Sequence, residues 1–434
     1  MTVIVTSAQG IGSLPTELIY LIFSFAHALT IVATRKQRSY LEKPALPVLS
    51  SVLRVCALWY EIARNLPELW TYIPVLDWSP RTINMIDALV ERSENLSLHI
   101  FWTIRKYNHI LTPNDRRELQ GIWNKAFSLI GRAASLHIQT THSSWMDQCI
   151  CFPTAPLLES LMIHLIGEGD NLRMLHLGPT PSLQSLVLHR VGMKESDLPA
   201  IVEHLEVLDA PGTPSLASRL ADTFALSASS TSSLRHLAIS TKIPYVKHDG
   251  GNAFRTYIGC LNTLTIGQLR HFGRLPSLLH CPLLEELSLT RLECTAIRDF
   301  MQGLHNCSII FPALRTLRIS YIEDTTFGDL RYLRVACPSL EVLKFNQVQH
   351  NPFMELLSAD DDEQHPFWPK LHTLSFLPVD YWDICGVVSR RIEVKFPLAR
   401  LEITPRTRDD LASLPWLQEH VPTLCSTTPS WWHT

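Results

Sequence analysis

The sequence predicts an α/β fold in which a small all-α unit at the N-terminus precedes a long series of strand-and-helix repeats. Two observations lead to this prediction. Residues 14 to 70 carry two apolar patterns with helical spacing. From residue 156 onward, a short leucine-containing phrase recurs between helical segments. A chain of 434 residues, 46% of them hydrophobic, is long enough for two or three domains or for one long solenoid.

The first predicted element is a helix that begins near Leu14. Ser13 is suited to cap it, and Pro15 and Glu17 are favourable residues for its first turn. Its apolar residues recur at helical spacing: Leu18, Leu21, Ile22 and Phe25. A second helix, which Pro67 ends, is predicted to place five residues on one side: Val52, Val55, Cys56, Trp59 and Ile62. Because so small a unit is marginally stable alone, we expect a partner to cover its remaining apolar face.

Two helix–strand pairs are predicted next. Ser79 and Pro80 form the cap-then-proline arrangement that is typical of a helix start. Residues 96–100 then alternate with the period of a strand. A further helix starts at about Asn114 and leads into a strand at residues 136–138. A repeated α/β unit is therefore indicated before the leucine phrases begin.

The recurring phrase is Leu-x-x-Leu-x-Leu, with Ile or Phe allowed at the last position. It begins at Leu158, Leu172, Leu183, Leu234, Leu261, Leu284, Leu314, Leu340, Leu371 and Leu398. From Leu261 on, successive phrases begin 23, 30, 26, 31 and 27 residues apart. We expect each phrase to form a strand. A proline lies two residues before six of them, which fits the entry to a strand because its missing N–H is harmless there.

The N-terminal segment resembles the F-box motif over about 60 residues. The matching positions are Leu14-Pro15-x-Glu17-Leu18, Ile22-Phe23-Ser24, Val55-Cys56-x-x-Trp59, Ile62-Ala63 and Leu69-Trp70. The resemblance implies binding to the adaptor Skp1, and through it to a cullin in an SCF-type ubiquitin ligase. The Skp1-binding face would then be formed or supported by Leu14, Pro15, Leu18, Ile22, Phe23, Val55, Trp59 and Trp70. The sequence departs from the motif at Thr30–Pro47, which is longer than usual and is predicted as a loop.

The phrases after residue 156 resemble the leucine-rich-repeat family over about 280 residues. This resemblance implies a curved α/β solenoid with a parallel sheet on its concave face. The predicted domains are an F-box-like unit at 11–75 and a repeat solenoid at 76–434, irregular over 76–260 and more regular over 261–404. The asparagine that often closes the family's turns is replaced by Val191, Leu292, Ile322 and Val348. The turns must therefore be closed by other groups.

The residues that flank the second leucine of each phrase would face the concave side, because side chains alternate along a strand. The predicted target-binding residues on this face are Ser288, Arg318, Lys344, Asn346 and Ser375. Arg318 and Lys344 are expected on neighbouring strands about 4.8 Å apart. Two adjacent cations indicate either an acidic ligand or a face that is merely kept soluble.

Together the two resemblances imply a substrate-recognition subunit of an SCF-type E3 ligase, which is not itself an enzyme. The alternative is a repeat scaffold that keeps an F-box-like cap but joins no ligase. The sequence contains no nucleophile elbow, phosphate loop, zinc-protease motif or dinucleotide fingerprint. We therefore predict no catalytic residues, no cofactor and no metal. If the ligase interpretation holds, part of the N-terminal apolar surface must remain open in the folded chain.

Charge and cysteine content bound the cellular setting. A net charge of −3 gives no global field that would recruit nucleic acid. The ten cysteines show no paired spacing of a secreted framework, so we predict reduced thiols and a cytoplasmic or nuclear protein. The apolar run 18–33 is shorter than the roughly 20 residues that a membrane span needs. It is therefore interpreted as a buried helix.

Overall fold

A computed structural model describes much of the chain. The described residues are 14–36, 48–104, 112–141, 149–165, 173–193, 202–208, 233–240, 256–257, 259–267, 279–290, 294–306, 310–320, 327–346, 357, 368–379, 381–405 and 414–426. The chain forms two compact units, one made of Met1–Gly169 with Leu175–Leu183 and the other of Asp170–Met174 with Gln184–Thr434. Helices and many parallel strands make up both units, which confirms the mixed α/β class. The predicted domain boundary near residue 75 stays a prediction.

The first unit begins with helices and continues as a parallel sheet. Its helices are α1 (Thr16–Lys36), α2 (Val48–Val52), α3 (Ala57–Arg64), α4 (Pro80–Arg92) and α5 (Pro113–Ser128), with 3-10 turns at Pro67–Trp70 and Ile130–Arg132. Its strands are β1 (Tyr72–Val75), β2 (Leu98–Ile104), β3 (Ala133–Thr140), β4 (Cys149–Phe152), β5 (Ser160–Leu165) and most of β6 (Arg173–Leu177). Strands β1, β2, β3 and β5 pair in that order, all parallel. The predicted helix–strand pairs are thus confirmed.

Helix α5 starts where its sequence predicts. The Thr112 hydroxyl accepts a hydrogen bond from the Asp115 backbone N–H at 3.1 Å, and the Asp115 carboxylate accepts one from the Thr112 N–H at 2.9 Å. This reciprocal capping satisfies two N–H groups that have no partner within the helix. The apolar side of the helix then packs on the sheet, with the Trp123 ring 5.4 Å from that of Trp102 on β2.

The second unit is built on ten parallel strands. In order across the sheet they are β7 (Ser185–His189), β9 (His204–Leu208), β10 (His236–Ser240), β12 (Thr263–Gly267), β14 (Glu286–Thr290), β15 (Thr316–Ser320), β16 (Val342–Asn346), β17 (Thr373–Val379), β18 (Arg400–Pro405) and β19 (Thr423–Ser426). Shorter strands are β8 (Val191–Met193), β11 (Thr256–Tyr257) and β13 (Leu279–His280). The helices of this unit are α6 (Cys294–Asn306), α7 (Phe327–Ala336), α8 (Tyr381–Glu393) and α9 (Leu414–His420).

The leucine phrases set the strand register. The second leucines align across successive strands as Leu287, Leu317, Leu343, Leu374 and Leu401. Each of these side chains is fully buried, as is the first leucine of each phrase in this region. Because the side-chain period of a strand is two, a shift of one residue would move every leucine out of the core. The repeat therefore fixes both the pairing and the buried face.

The recurring prolines lie in the turns that lead into the strands, which agrees with their predicted place at the strand entry. The leucine N–H two residues after the proline bonds to the carbonyl of the residue before it. Five such bonds of 2.9–3.2 Å join Leu158 to Ala155, Leu183 to Thr180, Leu284 to Cys281, Leu314 to Phe311 and Leu371 to Trp368. Proline suits the second position of such a turn because its φ is already fixed. The residue before each proline is buried, so every turn is anchored in the core.

Main-chain bonds also join each repeat to the next at the start of the strands. The carbonyl of Asn262 accepts from the N–H groups of Glu285 at 2.8 Å and Glu286 at 3.0 Å. The carbonyl also accepts hydrogen bonds from two successive N–H groups at each of these residues: Gln184, Glu203, Arg235, Glu285, Arg315, Glu341 and His372. These bonds link neighbouring repeats at the strand starts; Leu292, Ile322 and Val348, three of the four positions that lack the asparagine, lie outside the described residues.

Three predictions about the N-terminal helices need correction. The predicted loop Thr30–Pro47 is wrong at its start, because α1 continues to Lys36; residues 37–47 lie outside the described part of the chain. The predicted single second helix is broken into α2 and α3 by a turn that ends at Cys56. That break turns Val55 and Cys56 towards solvent, while Val52 and Ile62 remain buried. Ser13, the predicted cap, also lies outside the described residues.

Candidate partner-binding surfaces

Helix α1 packs on the rest of the first unit through one stripe of side chains. The buried members are spaced about one turn apart: Ile19, Phe23, His27 and Ile31. The Phe23 ring contacts the Trp59 ring of α3 edge-on, with 4.9 Å between the centroids. Further along, Ile31 shares a buried cluster with Tyr72 of β1 and Phe101 of β2. Helix α1 therefore covers the face of the sheet that carries Tyr72 and Phe101.

A second stripe of α1 is apolar but exposed. Its members are Leu18, Leu21, Ile22, Phe25, Leu29 and Val32. The two most exposed are Leu21 at 65% and Phe25 at 67%, whereas Phe23 between them is 1% exposed. Val55, Leu58 and Tyr60 add exposed apolar side chains from the α2–α3 region. Large side chains of this kind rarely remain exposed together in a monomer unless they form a contact surface.

The predicted Skp1-binding residues divide between the exposed surface and its support. Pro15, Leu18, Ile22 and Val55 are exposed. Leu14 and Trp59 are half-buried, and Phe23 and Trp70 are buried. The exposed residues are available to a partner, while the buried ones can act only by holding the helices in place.

Trp70 is held by two specific contacts. Its indole N–H donates to the carbonyl of Ala63 at 2.9 Å, which ties the 3-10 turn to the end of α3. On the other side, the guanidinium of Arg92 lies 4.3 Å from the ring centroid. A cation over an indole face is favourable by about 0.5–2 kcal/mol. Trp70 therefore fixes α3 against α4, which is a supporting role.

His27 joins α1 to the start of the sheet. Its Nε2 lies 3.0 Å from the Thr71 hydroxyl, which itself donates to the carbonyl of Glu68 at 2.7 Å. The hydroxyl proton is thus used, so His27 donates through Nε2–H. Burial lowers the pKa of His27, and the charge of Glu68 opposes that shift only in part. The side chain is therefore neutral, and its Nδ1 is buried without a hydrogen-bond partner among the described residues.

The F-box motif covers only part of the exposed apolar surface. It includes Leu18 and Ile22, but not Leu21, Phe25, Leu29 and Val32 of α1 or Leu58 and Tyr60 of α3. The feature of the sequence that indicates the rest is the width of the apolar pattern on α1. An amphipathic helix that packs on one side carries one apolar stripe. In α1, Ile19, Phe23 and Ile31 form one apolar stripe, whereas Leu18 and Ile22 belong to a second one.

The polar face of the second unit's sheet carries ion pairs between strands. The register places Ser288, Arg318, Lys344, Ser375 and Glu402 in one row across β14 to β18. The predicted neighbourhood of Arg318 and Lys344 is therefore present. Ser288 and Ser375 are buried, and Asn346, one step further along β16, is half-buried. This row contains four of the five residues predicted for the concave face.

Each of the two predicted cations has an acidic partner on the sheet. Arg318 Nε lies 2.7 Å from Glu286 Oε1 on β14. Lys344 Nζ lies 3.2 Å from Glu402 Oε2 on β18. Arg400 Nη2 approaches the other oxygen of Glu402 at 2.8 Å. Glu402 and Arg400 were not predicted, because sequence spacing alone does not bring Glu402 to Lys344, 58 residues away.

Glu402 is an ionised centre of this network. Burial opposes its ionisation, but the Lys344 and Ser375 hydrogen bonds and the charges of Lys344 and Arg400 outweigh that effect. The pKa of Glu402 is therefore below its usual range. The carboxylate stays charged at neutral pH and holds Lys344 and Arg400 in place.

Two other kinds of site were sought in the described part of the chain. Within it, no group of three histidine, cysteine, aspartate or glutamate side chains is arranged to hold a metal ion. None of its helices combines the length and apolarity needed to cross a membrane. Cys281 and Cys337 are buried, and burial raises the pKa of both thiols to about 12. Both are therefore protonated, apolar core residues.

Comparison with known proteins adds no assignment. No family model matches the chain, and no curated protein matches it significantly.

Proposed function

We propose that this protein is the substrate-recognition subunit of an SCF-type E3 ubiquitin ligase. Its N-terminal helices would bind the adaptor Skp1, which links it to a cullin. Its repeat sheet would bind the protein to be ubiquitinated. The protein would position its target and would not itself catalyse a reaction.

The observation that carries this proposal is the second apolar stripe of α1. A helix that packs on one side needs only one apolar stripe, and the other side is normally polar. In α1, Leu21 and Phe25 are as apolar as the buried Ile19 and Phe23, yet they face solvent. Burying a side chain of this size is favourable by roughly 1.5–3 kcal/mol. A partner that covers several of them would therefore bind with considerable affinity.

The F-box resemblance identifies the kind of partner. Its positions Leu18, Ile22 and Val55 all belong to the exposed surface, while Phe23 and Trp70 support it from below. A motif kept only as a structural cap would not need apolar residues at the exposed positions. The combination of motif and exposure favours an adaptor-binding role.

The regular second unit supports the assignment of a target-binding body. Its leucine phrases align in register over successive parallel strands, the double-acceptor bonds recur from repeat to repeat, and the turn bond recurs before Leu284, Leu314 and Leu371. We interpret this regularity as a leucine-rich-repeat solenoid. The polar face of the sheet would then be the concave surface, which offers side chains from many strands to one extended partner.

The alternative is a repeat scaffold that has kept the helices as a cap and joins no ligase. One observation favours it: α1 covers Tyr72 and Phe101 on the sheet, so the helices have a structural role without any adaptor. This role accounts for the buried stripe of α1 but leaves the exposed stripe unexplained. The ligase proposal accounts for both.

Co-purification distinguishes the two candidates. Tagged full-length protein is expressed with Skp1 and a cullin, and both are measured after affinity capture. We expect both to be recovered, and recovery to fall at least tenfold for Ile22→Asp and for the Leu14→Ala, Pro15→Ala double variant. Leu283→Asp is the matched control, because Leu283 is also exposed but lies in a turn of the second unit. Absence of Skp1 from the wild-type capture, or equal recovery with all variants, would contradict the proposal.

A further inference from the structure

The polar face of strands β14 to β18 carries an excess of positive charge. Three cations lie on it, Arg318, Lys344 and Arg400, together with two carboxylates, Glu286 and Glu402. These five residues therefore leave one positive charge that no carboxylate of the network balances. The whole chain, by contrast, has a net charge of −3. The local excess is thus opposite in sign to the overall charge.

The two arginines are also the most accessible members of the network. The side chains of Arg318 and Arg400 are 47% and 49% exposed, whereas those of Glu286 and Glu402 are 31% and 21% exposed. Both oxygens of Glu402 face cations of the same sheet. A ligand that approaches this face therefore meets guanidinium groups before it meets carboxylates. This order of exposure favours an anionic ligand.

Replacing the carboxylate partner of a cation on this face lowers the stability of the protein only slightly. An ion pair exposed to this extent contributes little to the stability of the fold. An incoming carboxylate can therefore share or replace Glu286 at Arg318 without a large loss of stability. The hydroxyl and amide groups of Thr290, Ser320 and Asn346 lie one step further along the same strands, where they can bond to a ligand backbone.

The strand spacing sets the distance between the two accessible arginines. Arg318 lies on β15 and Arg400 on β18, which are three strands apart in the sheet. The register also places Arg400 in the row of Thr316, two residues before the row of Arg318. At about 4.8 Å per strand and about 3.3 Å per residue along a strand, the two backbone positions are about 16 Å apart. An extended peptide advances about 3.4 Å per residue, and every second side chain points the same way, so two side chains on one side come nearest to this distance when they are four residues apart.

From these observations we infer that β14 to β18 bind an extended peptide segment with two anionic side chains four residues apart. The inference deepens the proposed function, on which it rests for the role of the sheet as the target-binding surface. One anionic side chain would contact Arg318, and the other would contact Arg400 and Lys344. The anions would be either carboxylates or phosphorylated serines, which share the same chemistry at these cations.

Fluorescence anisotropy with labelled peptides tests this inference on the full-length protein. The probe is a serine- and glycine-rich peptide with two glutamates four residues apart. The controls carry glutamines at the same places or glutamates three residues apart. We expect the first probe to bind most tightly, and its affinity to fall between about 50 mM and about 300 mM salt. Equal binding of the glutamine peptide would overturn the inference.

Two protein variants locate the site. Arg318→Gln and Arg400→Gln should each weaken binding about two- to fivefold, and the double variant more strongly. Arg116→Gln, an exposed arginine on α5, is the matched control and should leave binding unchanged. Unchanged affinity in the double variant would place the ligand elsewhere. Tighter binding of a phosphoserine version of the probe would identify a phosphorylated target, and weaker binding a carboxylate one.

The outcome is separable from that of the ligase proposal. Arg318→Gln leaves the N-terminal helices intact, so its recovery of Skp1 should equal that of the wild type. If the peptide binds but Skp1 does not, the peptide site on the sheet stands, the ligase proposal falls, and the protein is a scaffold. Skp1 binding without any preference for the glutamate peptide would retain the ligase proposal and remove this inference.

Discussion

Helix α1 and strands β14–β18 are both rich in apolar residues, but they use them differently. On the strands, the leucines alternate with polar residues, and the second leucine of each phrase is buried. On α1, one apolar stripe is buried and another, which includes Leu21 and Phe25, is exposed. The sheet thus completes its own core, whereas the helix carries more apolar surface than its unit covers. The difference separates a region that buries its own apolar residues from one that, under the proposed function, offers them to a partner.

The largest expected effect concerns the buried leucines of the sheet, where the chain completes its own core. Leu317 is the second leucine of its phrase and is fully buried, so Leu317→Ala should lower the free energy of unfolding by about 2–5 kcal/mol. Leu283 lies in the turn before a neighbouring strand and is largely exposed, so Leu283→Ala should change the free energy of unfolding by less than about 0.5 kcal/mol. Urea unfolding measures both. Equal losses would contradict the assignment of buried and exposed leucines.

A somewhat smaller effect concerns a charged group within the same core. Arg391 on α8 is buried, and its guanidinium donates to the carbonyls of Leu371 at 2.7 Å, Phe396 at 3.1 Å and Trp368 at 3.3 Å. Burial lowers the pKa of Arg391 to about 10, so it remains charged at neutral pH. Arg391→Met should reduce stability by about 2–3 kcal/mol, because it leaves buried carbonyls without these donors.

The neighbouring arginine provides the control for that experiment. Arg390 is partly exposed and bonds to Glu393 on the same helix at 2.9 Å. Arg390→Met should alter the urea midpoint little, since surface pairs contribute less than about 1 kcal/mol. A similar shift of the urea midpoint in both variants would show that the stability loss comes from any change in helix α8, and not from removal of the hydrogen bonds of Arg391.

The smallest effect tests the joint between α1 and the sheet. The pKa of His27 is lowered from 6.5 by burial, so the unfolded chain takes up this proton first as the pH falls. Stability should therefore be lost below about pH 6.5, with a slope of at most about 1.4 kcal/mol per pH unit. His27→Gln keeps a donor for Thr71 but cannot be protonated. Urea midpoints at pH 7.5 and pH 5 should converge in this variant, and an unchanged pH dependence would contradict the role of His27.

Much of the sheet could be predicted from the sequence because its pattern is local. Leucines at the first, fourth and sixth positions specify which residues face the core, and parallel pairing then follows from repetition. The prolines indicate the entry to each strand, but the leucine pattern does not specify the hydrogen-bonded turn there, such as the one that joins Leu284 to Cys281. The pairing of Lys344 with Glu402 depends on strand order and could not be read from spacing.

The helices were harder to predict because their apolar pattern is too wide. Leu18, Ile22 and Phe25 match a helical period as well as Ile19 and Phe23 do, so periodicity cannot say which stripe is buried. The contacts of Trp59 and Tyr72 decide it, and these come from distant parts of the chain. The break between α2 and α3 was missed for a similar reason, since Val55 and Cys56 fit a continuous helix in sequence.

Two phenylalanines on α1 offer the most direct test of the exposed stripe as a docking surface. Phe25→Asp alters an exposed residue, so the free energy of unfolding measured in urea should remain within about 0.5 kcal/mol of the wild type. Phe23→Ala removes a buried ring and should destabilise the first unit by about 3–5 kcal/mol. The deciding measurement is the affinity of Skp1 for Phe25→Asp by titration calorimetry. We predict a loss of at least about thirtyfold with the fold intact, and wild-type affinity would contradict a docking role for this stripe.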